Sequence, residues 1–422
     1  MNPPAATPRV AIACGGTGGH IFPGLAVAEQ LTKRGCAVTL LISPKDIDQQ
    51  AVKNVSGMEI AVLPAVGLQG RNYFSFARGF WNSWRAAKKL FQPNPPHAVL
   101  AMGGFTAAPP VLAARSLGAK TFLHESNTIP GRANRWLARR VDHAFVGFPQ
   151  TQGRLRARFV TVTGTPVRPQ FSPRAAASCR TALGLEPDRP TILVTGGSQG
   201  ASGLNEAVLF TLTALGDRAA AWQWLHLTGT RDFEKVKSTY ASRGLKAIVK
   251  PFLAEMDLAL GAASVAVSRA GASSLAELAA MRLPSVLIPF PAAADNHQSE
   301  NARAFAETGA ARYFEQEDAT SANLAATLRE LVENDSARAA MQTALARWHK
   351  PDAATHIAEA ILQVIGQTTE RGCPQPQRAG LPADAMNTSR HPVANSPAAA
   401  GDSRAPRTMH GRAHCTGAFL TS

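Results

Sequence analysis

The sequence predicts an α/β protein built from two doubly wound, Rossmann-like domains. Three observations carry that reading. A glycine-rich turn follows an apolar strand twice, at residues 15–20 and again at 196–200. Strand-like and helix-like segments alternate after each turn. A proline-punctuated stretch, Val160–Phe171 with Pro166 and Pro169 and then Pro173, separates the two runs as a linker would. A length of 422 residues with 45% hydrophobic content suits two cores better than one.

The elements follow in order. Apolar Val10–Cys14 reads as a strand, Leu25–Arg34 as a helix and Ala37–Ile42 as the next strand, which together make a βαβ unit. Ala98–Met102, Lys120–His124 and Ala144–Gly147 are further strands, with helical stretches at Ala107–Ser116 and Ala133–Arg139 between them. Such alternation implies a parallel sheet covered on both faces, and residues 1–165 are assigned to a first domain. Thr191–Thr195, the turn Gly196–Gly200 and helical Leu204–Leu215 repeat that opening. Strands at Trp222–Leu227, Ala247–Val249, Val265–Val267 and Ser285–Ile288 then complete a second domain over residues 166–350. Residues 351–366 form a final amphipathic helix, expected to pack back toward the first domain. Residues 367–422, rich in Ala, Pro, Ser, Gly and Arg without a period, read as disordered.

Charge divides unevenly. The net +15 of the chain is concentrated in residues 1–165, where 19 Lys/Arg face 6 Asp/Glu, whereas residues 166–366 hold 19 against 20. An anionic partner on the first domain is implied, either nucleic acid or anionic lipid. The most apolar stretch, Ala98–Ala114, is broken by Gly103, Gly104, Pro109 and Pro110, so no membrane-spanning helix is expected. The start lacks a basic, apolar leader pattern. Five scattered cysteines without a CxxC pair suggest neither a disulfide framework nor a zinc site, and a reducing cytoplasm fits them.

Gly15-Gly16-Thr17-Gly18-Gly19-His20 sits between a strand and a helix, where small residues let backbone N–H groups approach an anion or a sugar. It is not a dinucleotide fingerprint, because a G-x-G-x-x-G frame from Gly16 ends on Ile21, and no G-K-[ST] occurs. His20 lies at the carboxyl edge of the sheet with a pKa suited to taking a proton near neutrality. Gly196-Gly197-Ser198-Gln199-Gly200 admits two readings: a diphosphate cradle, or the G-x-S-x-G elbow of a hydrolase with Asp295 and His297 or His356 as partners. Ser268–Glu277 opens another helix at the same edge. There Glu277 can accept from a ribose diol, although Ser274-x-x-Glu277 also spells a capping box. Asp295-Asn296-His297-Gln298 offers side chains for sugar hydroxyls. Asp46-Ile47-Asp48 follows Ser43-Pro44 at a helix start, where acids favour the dipole, and is discounted as a metal site. Between Leu68 and Phe91, Phe74, Phe76, Phe80, Trp81, Trp84 and Phe91 interleave with Arg71, Arg78, Arg85, Lys88 and Lys89 and no acid. A core helix with a solvated basic face has this composition, and so do a helix lying in an anionic membrane interface and a single-stranded nucleic-acid-binding surface.

Taken together, GGTGGH at 15–20, HESN at 124–127, GTPVR at 164–168, GGSQG at 196–200, SRAGASSLAE at 268–277 and DNHQ at 295–298 resemble the MurG family, N-acetylglucosaminyltransferases of peptidoglycan precursor synthesis. The resemblance runs in order from about residue 9 to 366. It implies the GT-B arrangement, with two domains facing a cleft, UDP-N-acetylglucosamine held mainly by the second, and a lipid-linked muramyl-pentapeptide as acceptor. By motif, it implies donor contacts from Thr17, Gly18, Gly19, Asn127, Arg168, Ser198, Leu253, Ala272, Ser273, Ser274, Leu275, Ala276, Glu277 and Gln298. Leu253 would serve the uracil through its backbone and Glu277 the ribose. Thr165 and Ser126 depart from the residues frequent in relatives, Asn and Gln.

The resemblance further implies a single inverting displacement by the acceptor's 4-hydroxyl, with His20 as base or acceptor-positioning group, no cofactor and no essential metal. It implies a peripheral protein on the cytoplasmic face of the membrane, touching an anionic surface through Phe76, Phe80, Trp81, Trp84 and Arg85, with no nucleic-acid partner. A nucleotide-sugar epimerase of the same two-domain fold is the alternative.

Overall fold

The computed structural model describes residues 7–371 except 16–17, 54, 65–72 and 198–199. Thr17, Arg71, Ser198 and the tail from residue 372 therefore lie outside the described residues.

Two all-parallel sheets organise the chain. The first contains β1 (Arg9–Ala13), β2 (Ala37–Ile42), β3 (Glu59–Val62), β4 (Ala98–Ala101), β5 (Lys120–Glu125), β6 (His143–Val146) and β7 (Val160–Val162). Their spatial order is β3-β2-β1-β4-β5-β6-β7. The second contains β8 (Thr191–Thr195), β9 (Gln223–Leu227), β10 (Ala247–Lys250), β11 (Val265–Ser268), β12 (Ser285–Leu287) and β13 (Arg312–Tyr313), in the order β10-β9-β8-β11-β12-β13. The inner strands β4 and β8 are buried along their whole length, as strands covered on both faces must be. In each sheet the chain winds outward on one side and then reverses, between β1 and β4 in the first and between β8 and β11 in the second. At these switch points adjacent loops part to opposite faces and open a crevice at the carboxyl ends of the strands.

Several boundaries differ from the expectation. Val160–Val162, read as linker, is the edge strand β7 of the first sheet. β3 was not among the strands expected, although Ile60, Ala61 and Val62 are apolar; it is a short strand at the edge of the sheet with three of its four residues exposed. The first helix begins at Gly18, so Gly18, Gly19 and His20 form its opening turn rather than a loop. Asp48 accepts hydrogen bonds from Ser43 at the start of the helix Asp46–Val52.

The last helix, Ala353–Arg371, extends past residue 366, so residues 367–371 are helical and not part of a disordered tail. Its Ala354, Ile357, Ala358, Ile361 and Ile365 recur at helical spacing and join the core of the first sheet with Val10, Ile12 and Leu31. Glu359 pairs with Arg34 at 2.9 Å on its rim.

Candidate active site

The two switch points lie on opposite walls of one cleft of about 1890 Å³. Gly19, His20, Asn127, Arg168, Leu253, Ala272, Ser273, Ser274, Glu277 and Gln298 all line it. Leu275 is turned into the second core, and neither it nor Ala276 contributes surface to the cleft.

On the first wall, His20 occupies a slot made by two glycines. A Cβ on Gly103, whose φ is +120°, would stand 2.7 Å from the His20 Cε1, so only glycine leaves room for the ring. Its Nδ1 is sealed from solvent and makes no hydrogen bond of normal geometry, although the Met102 backbone favours the protonated ring. Burial holds the imidazole below its ordinary pKa of 6.5, against the pull of the Glu125 carboxylate. At neutral pH the ring is therefore uncharged and able to accept a proton.

Glu125, at the carboxyl end of β5, is the organiser of this wall. It is buried and accepts from Asn127 N at 2.9 Å, Asn127 Nδ2 at 3.0 Å, Gly131 N at 2.9 Å and Asn134 Nδ2 at 2.7 Å. Four donors on one carboxylate fix the loop that carries Asn127. Sequence reasoning quoted this residue within HESN without nominating it. The available signal was an acid closing an otherwise apolar inner strand of a parallel sheet.

On the second wall, the helix Ala272–Met281 starts at the N-cap Gly271, and no side chain caps it. Ser274 and Glu277 do not form a capping box. Burial lifts the Glu277 carboxyl to about 7, while the Arg168 guanidinium acts in the opposite direction. Arg168 itself lies over the Phe22 ring at 4.3 Å with its Nε enclosed and unpartnered, and burial lowers its pKa. Arg269, missed by the sequence reading, is a buried brace. It donates to the carbonyls of Ile288 at 3.0 Å and Pro289 at 2.7 Å and to Gln316 Oε1 at 2.8 Å. The turn so held ends at Phe290, whose N–H donates to Gln298 Oε1 at 3.0 Å and leaves that side chain's NH₂ to the cleft. In the second glycine turn, Gly200 has φ +73° and a Cβ there would stand 2.3 Å from the Thr228 carbonyl, so the turn can press against β9 only without a side chain.

Three polar contacts join the walls beside the Arg168–Phe22 stacking. Ser273 Oγ donates to the Gly19 carbonyl at 2.8 Å. Asn301, fully buried, accepts from both Thr128 N and Thr128 Oγ1 at 2.9 Å and donates to Asn127 Oδ1 at 3.0 Å. Asp295 pairs with Arg132 at 3.1 Å and Arg135 at 2.6 Å. Of the partners the hydrolase alternative would use, the Asp295 carboxylate sits on arginines, His297 bonds the Ala294 carbonyl through Nδ1 at 2.7 Å, and His356 is exposed and does not line the cleft.

The aromatic helix Tyr73–Phe91 divides into two faces. Phe80 and Trp84 are half-buried against the first core, while Phe74 is 82% exposed and Trp81 55% exposed. Arg85 is exposed beside them, and Phe76 packs between Phe80 and Phe105 at 6.3 Å from each. Trp136 continues the apolar surface, edge-on to Phe80 at 6.4 Å and covered by Arg140 at 3.9 Å. Among the described residues no helix is long and apolar enough to cross a membrane.

Two doubly wound sheets facing a cleft whose walls are helix N-termini and glycine turns are the GT-B arrangement. The model of the glycosyltransferase family 28 N-terminal domain matches residues 10–146 and that of the family 28 C-terminal domain residues 191–357. The chain belongs to glycosyltransferase family 28. It is 36% identical over 366 residues to the UDP-N-acetylglucosamine--N-acetylmuramyl-(pentapeptide) pyrophosphoryl-undecaprenol N-acetylglucosamine transferase of Anaeromyxobacter sp. (strain K), covering 85% of this chain and 93% of that protein. It is 38% identical over 375 residues to the protein of the same name from Xanthomonas euvesicatoria pv. vesicatoria (strain 85-10), covering 88% and 85%. Among solved structures it is similar to MurG of Acinetobacter baumannii, with a TM-score of 0.66, 28% identity and coverage of 85% of this chain and 99% of that one. A UDP-N-acetylglucosamine 2-epimerase from Listeria monocytogenes, 16% identical with a TM-score of 0.63, shares the fold.

Proposed function

We propose that the protein transfers N-acetylglucosamine from UDP-N-acetylglucosamine to the 4-hydroxyl of the muramyl sugar in an undecaprenyl-pyrophosphoryl-linked pentapeptide acceptor, with inversion. The observation that carries this is the pairing, across one cleft, of a neutral, partly buried histidine on the first wall with amide-rich turns and Glu277 on the second. The identity to transferases of that name over most of both chains supports it.

In this reading the acceptor hydroxyl gives its proton to His20 while its oxygen bonds to the anomeric carbon. The bond from that carbon to the diphosphate breaks, and UDP leaves from the opposite face. Deprotonation of this kind contributes ~10²–10⁴-fold in rate. The helix Ala272–Met281 directs its N-terminus at the diphosphate, where free N–H groups and the helix dipole stabilise the growing negative charge. Glu277 accepts from the ribose diol, Leu253 meets the uracil, and Asn127 and Gln298 meet the sugar hydroxyls. The exposed Phe74, Trp81 and Trp136 with the surrounding cations rest on an anionic lipid surface at the cytoplasmic face, which brings the lipid-linked acceptor to the cleft.

Incubation with labelled UDP-N-acetylglucosamine and the lipid-linked acceptor tests the proposal. Label in a lipid-bound disaccharide is expected. Label in free N-acetylmannosamine or N-acetylglucosamine, with none in lipid, overturns it in favour of an epimerase or a hydrolase.

A further inference from the structure

We infer that Arg132 and Arg135 form a docking pair for the acceptor's diphosphate, and that the Asp295 carboxylate competes with that diphosphate for the same two guanidinium groups. The inference rests on the transferase reading above and adds a site to it.

The geometry is that of an anion receptor. Arg132 Nη2 meets one oxygen of Asp295 at 3.1 Å and Arg135 Nη2 meets the other at 2.6 Å, so two forks converge on one carboxylate. The Arg132 side chain is 84% exposed and that of Arg135 44%. Ion pairs this wet are weak and exchange readily, and a diphosphate brings more charge and more acceptor oxygens than a carboxylate.

The cleft carries a group suited to each part of the substrate. Arg132 lines the same cleft as His20, Phe76, Phe80, Phe105 and Trp136, and Arg135 stands on the same short helix at the same Asp295 carboxylate. The acceptor runs sugar, diphosphate, prenyl chain. With its hydroxyl assigned to His20 and its chain to the aromatics, its diphosphate is left to the cations Arg132 and Arg135. Trp136 directly follows Arg135 on the same short helix, so the apolar and cationic contacts move together.

Asp295 is also presented deliberately. It and Asn296 have φ of +52° and +54°, a left-handed conformation that residues other than glycine adopt only infrequently. Asp and Asn tolerate it best. His297 and Gln298 follow at once in the cleft wall, so exchanging Asp295 for a phosphate at the arginines loosens the segment bearing the sugar-facing groups.

The test uses the full chain, with geranyl diphosphate binding measured by calorimetry in saturating UDP so that the donor's diphosphate site is filled. Asp295→Asn is expected to tighten binding by about fivefold, and Arg132→Gln/Arg135→Gln to weaken it by about tenfold. The acceptor KM in detergent should move the same way. Both variants shifting in the same direction, or neither shifting, overturns the inference and leaves the ion pair as a brace between domains. Loss confined to sedimentation with phosphatidylglycerol vesicles, with geranyl diphosphate affinity intact, overturns it in favour of a lipid-headgroup contact. Failure to transfer sugar with diphosphate binding intact defeats the transferase reading alone.

Discussion

Ser273 Oγ donates to the carbonyl of Gly19 at 2.8 Å across the cleft, and Pro23 is the reason that carbonyl is available. A helical carbonyl normally accepts from the N–H four residues on, and proline has none. Pro23→Ala restores that donor. The expected outcome is a first domain stabilised by about 1 kcal/mol, the net value of one restored backbone hydrogen bond, with faster amide exchange at residues 271–275 as the contact between domains weakens. Unchanged exchange there would show that Ser273 holds Gly19 without help from the proline.

Glu277 sets a pH dependence on the donor side. Its carboxyl is raised from 4.5 to about 7, so the protonated form dominates below that value. If the carboxylate accepts from the ribose, UDP affinity should fall as the pH drops through 7, and Glu277→Gln should flatten that slope. The stability sign is the reverse. A raised carboxyl favours the folded state below about 4.5, and the advantage is lost as pH rises toward 7. Glu277→Gln should therefore raise the thermal midpoint by about 2 °C at pH 8 and by less at pH 5.

His20 should carry the acidic limb of the kcat profile, displaced below 6.5 in the direction burial imposes. His20→Ala is expected to lower kcat by ~10²–10⁴-fold with UDP affinity retained. His20→Asn keeps a hydrogen-bonding side chain but takes no proton near neutrality, so a normal kcat in that variant would remove His20 from the chemistry. Gly103→Ala is expected to reproduce the loss from a distance, because its Cβ falls 2.7 Å from the ring.

Vesicle binding separates the two faces of the helix Tyr73–Phe91. Phe74→Ser/Trp81→Ser should reduce sedimentation with anionic vesicles and leave the thermal midpoint intact, since both side chains are exposed. Phe80→Ser/Trp84→Ser should lower the midpoint instead, because both pack on the core. Binding should weaken in salt, at about 1 kcal/mol for each nearby cation. Equal destabilisation by both pairs would make the whole helix a core element.

What was legible in the sequence was whatever depends on neighbours along the chain. Strands between glycine turns, and the motifs at their carboxyl ends, follow from local pattern, and most of the nominated residues line the cleft. What was not legible depends on distant partners. Asn301 acts through Thr128, 173 positions away, and Arg269 through Gln316, and neither shows its partner in composition or spacing. The division of the aromatic helix was within reach. Phe80, Trp84, Ala87 and Phe91 repeat at three- and four-residue steps and form the buried stripe, with Phe74 and Trp81 off it.

The helix Ala353–Arg371 places five side chains from the far end of the chain in the core of the first sheet. A ribosome must therefore complete nearly the whole described chain before the domain it made first can close, with both crossings between the sheets already threaded. Expressed alone, residues 1–165 would present water with the groove that Ile357 and Ile361 fill. A stop codon before residue 353 would take side chains out of the core at the beginning of the protein rather than only trim a later segment.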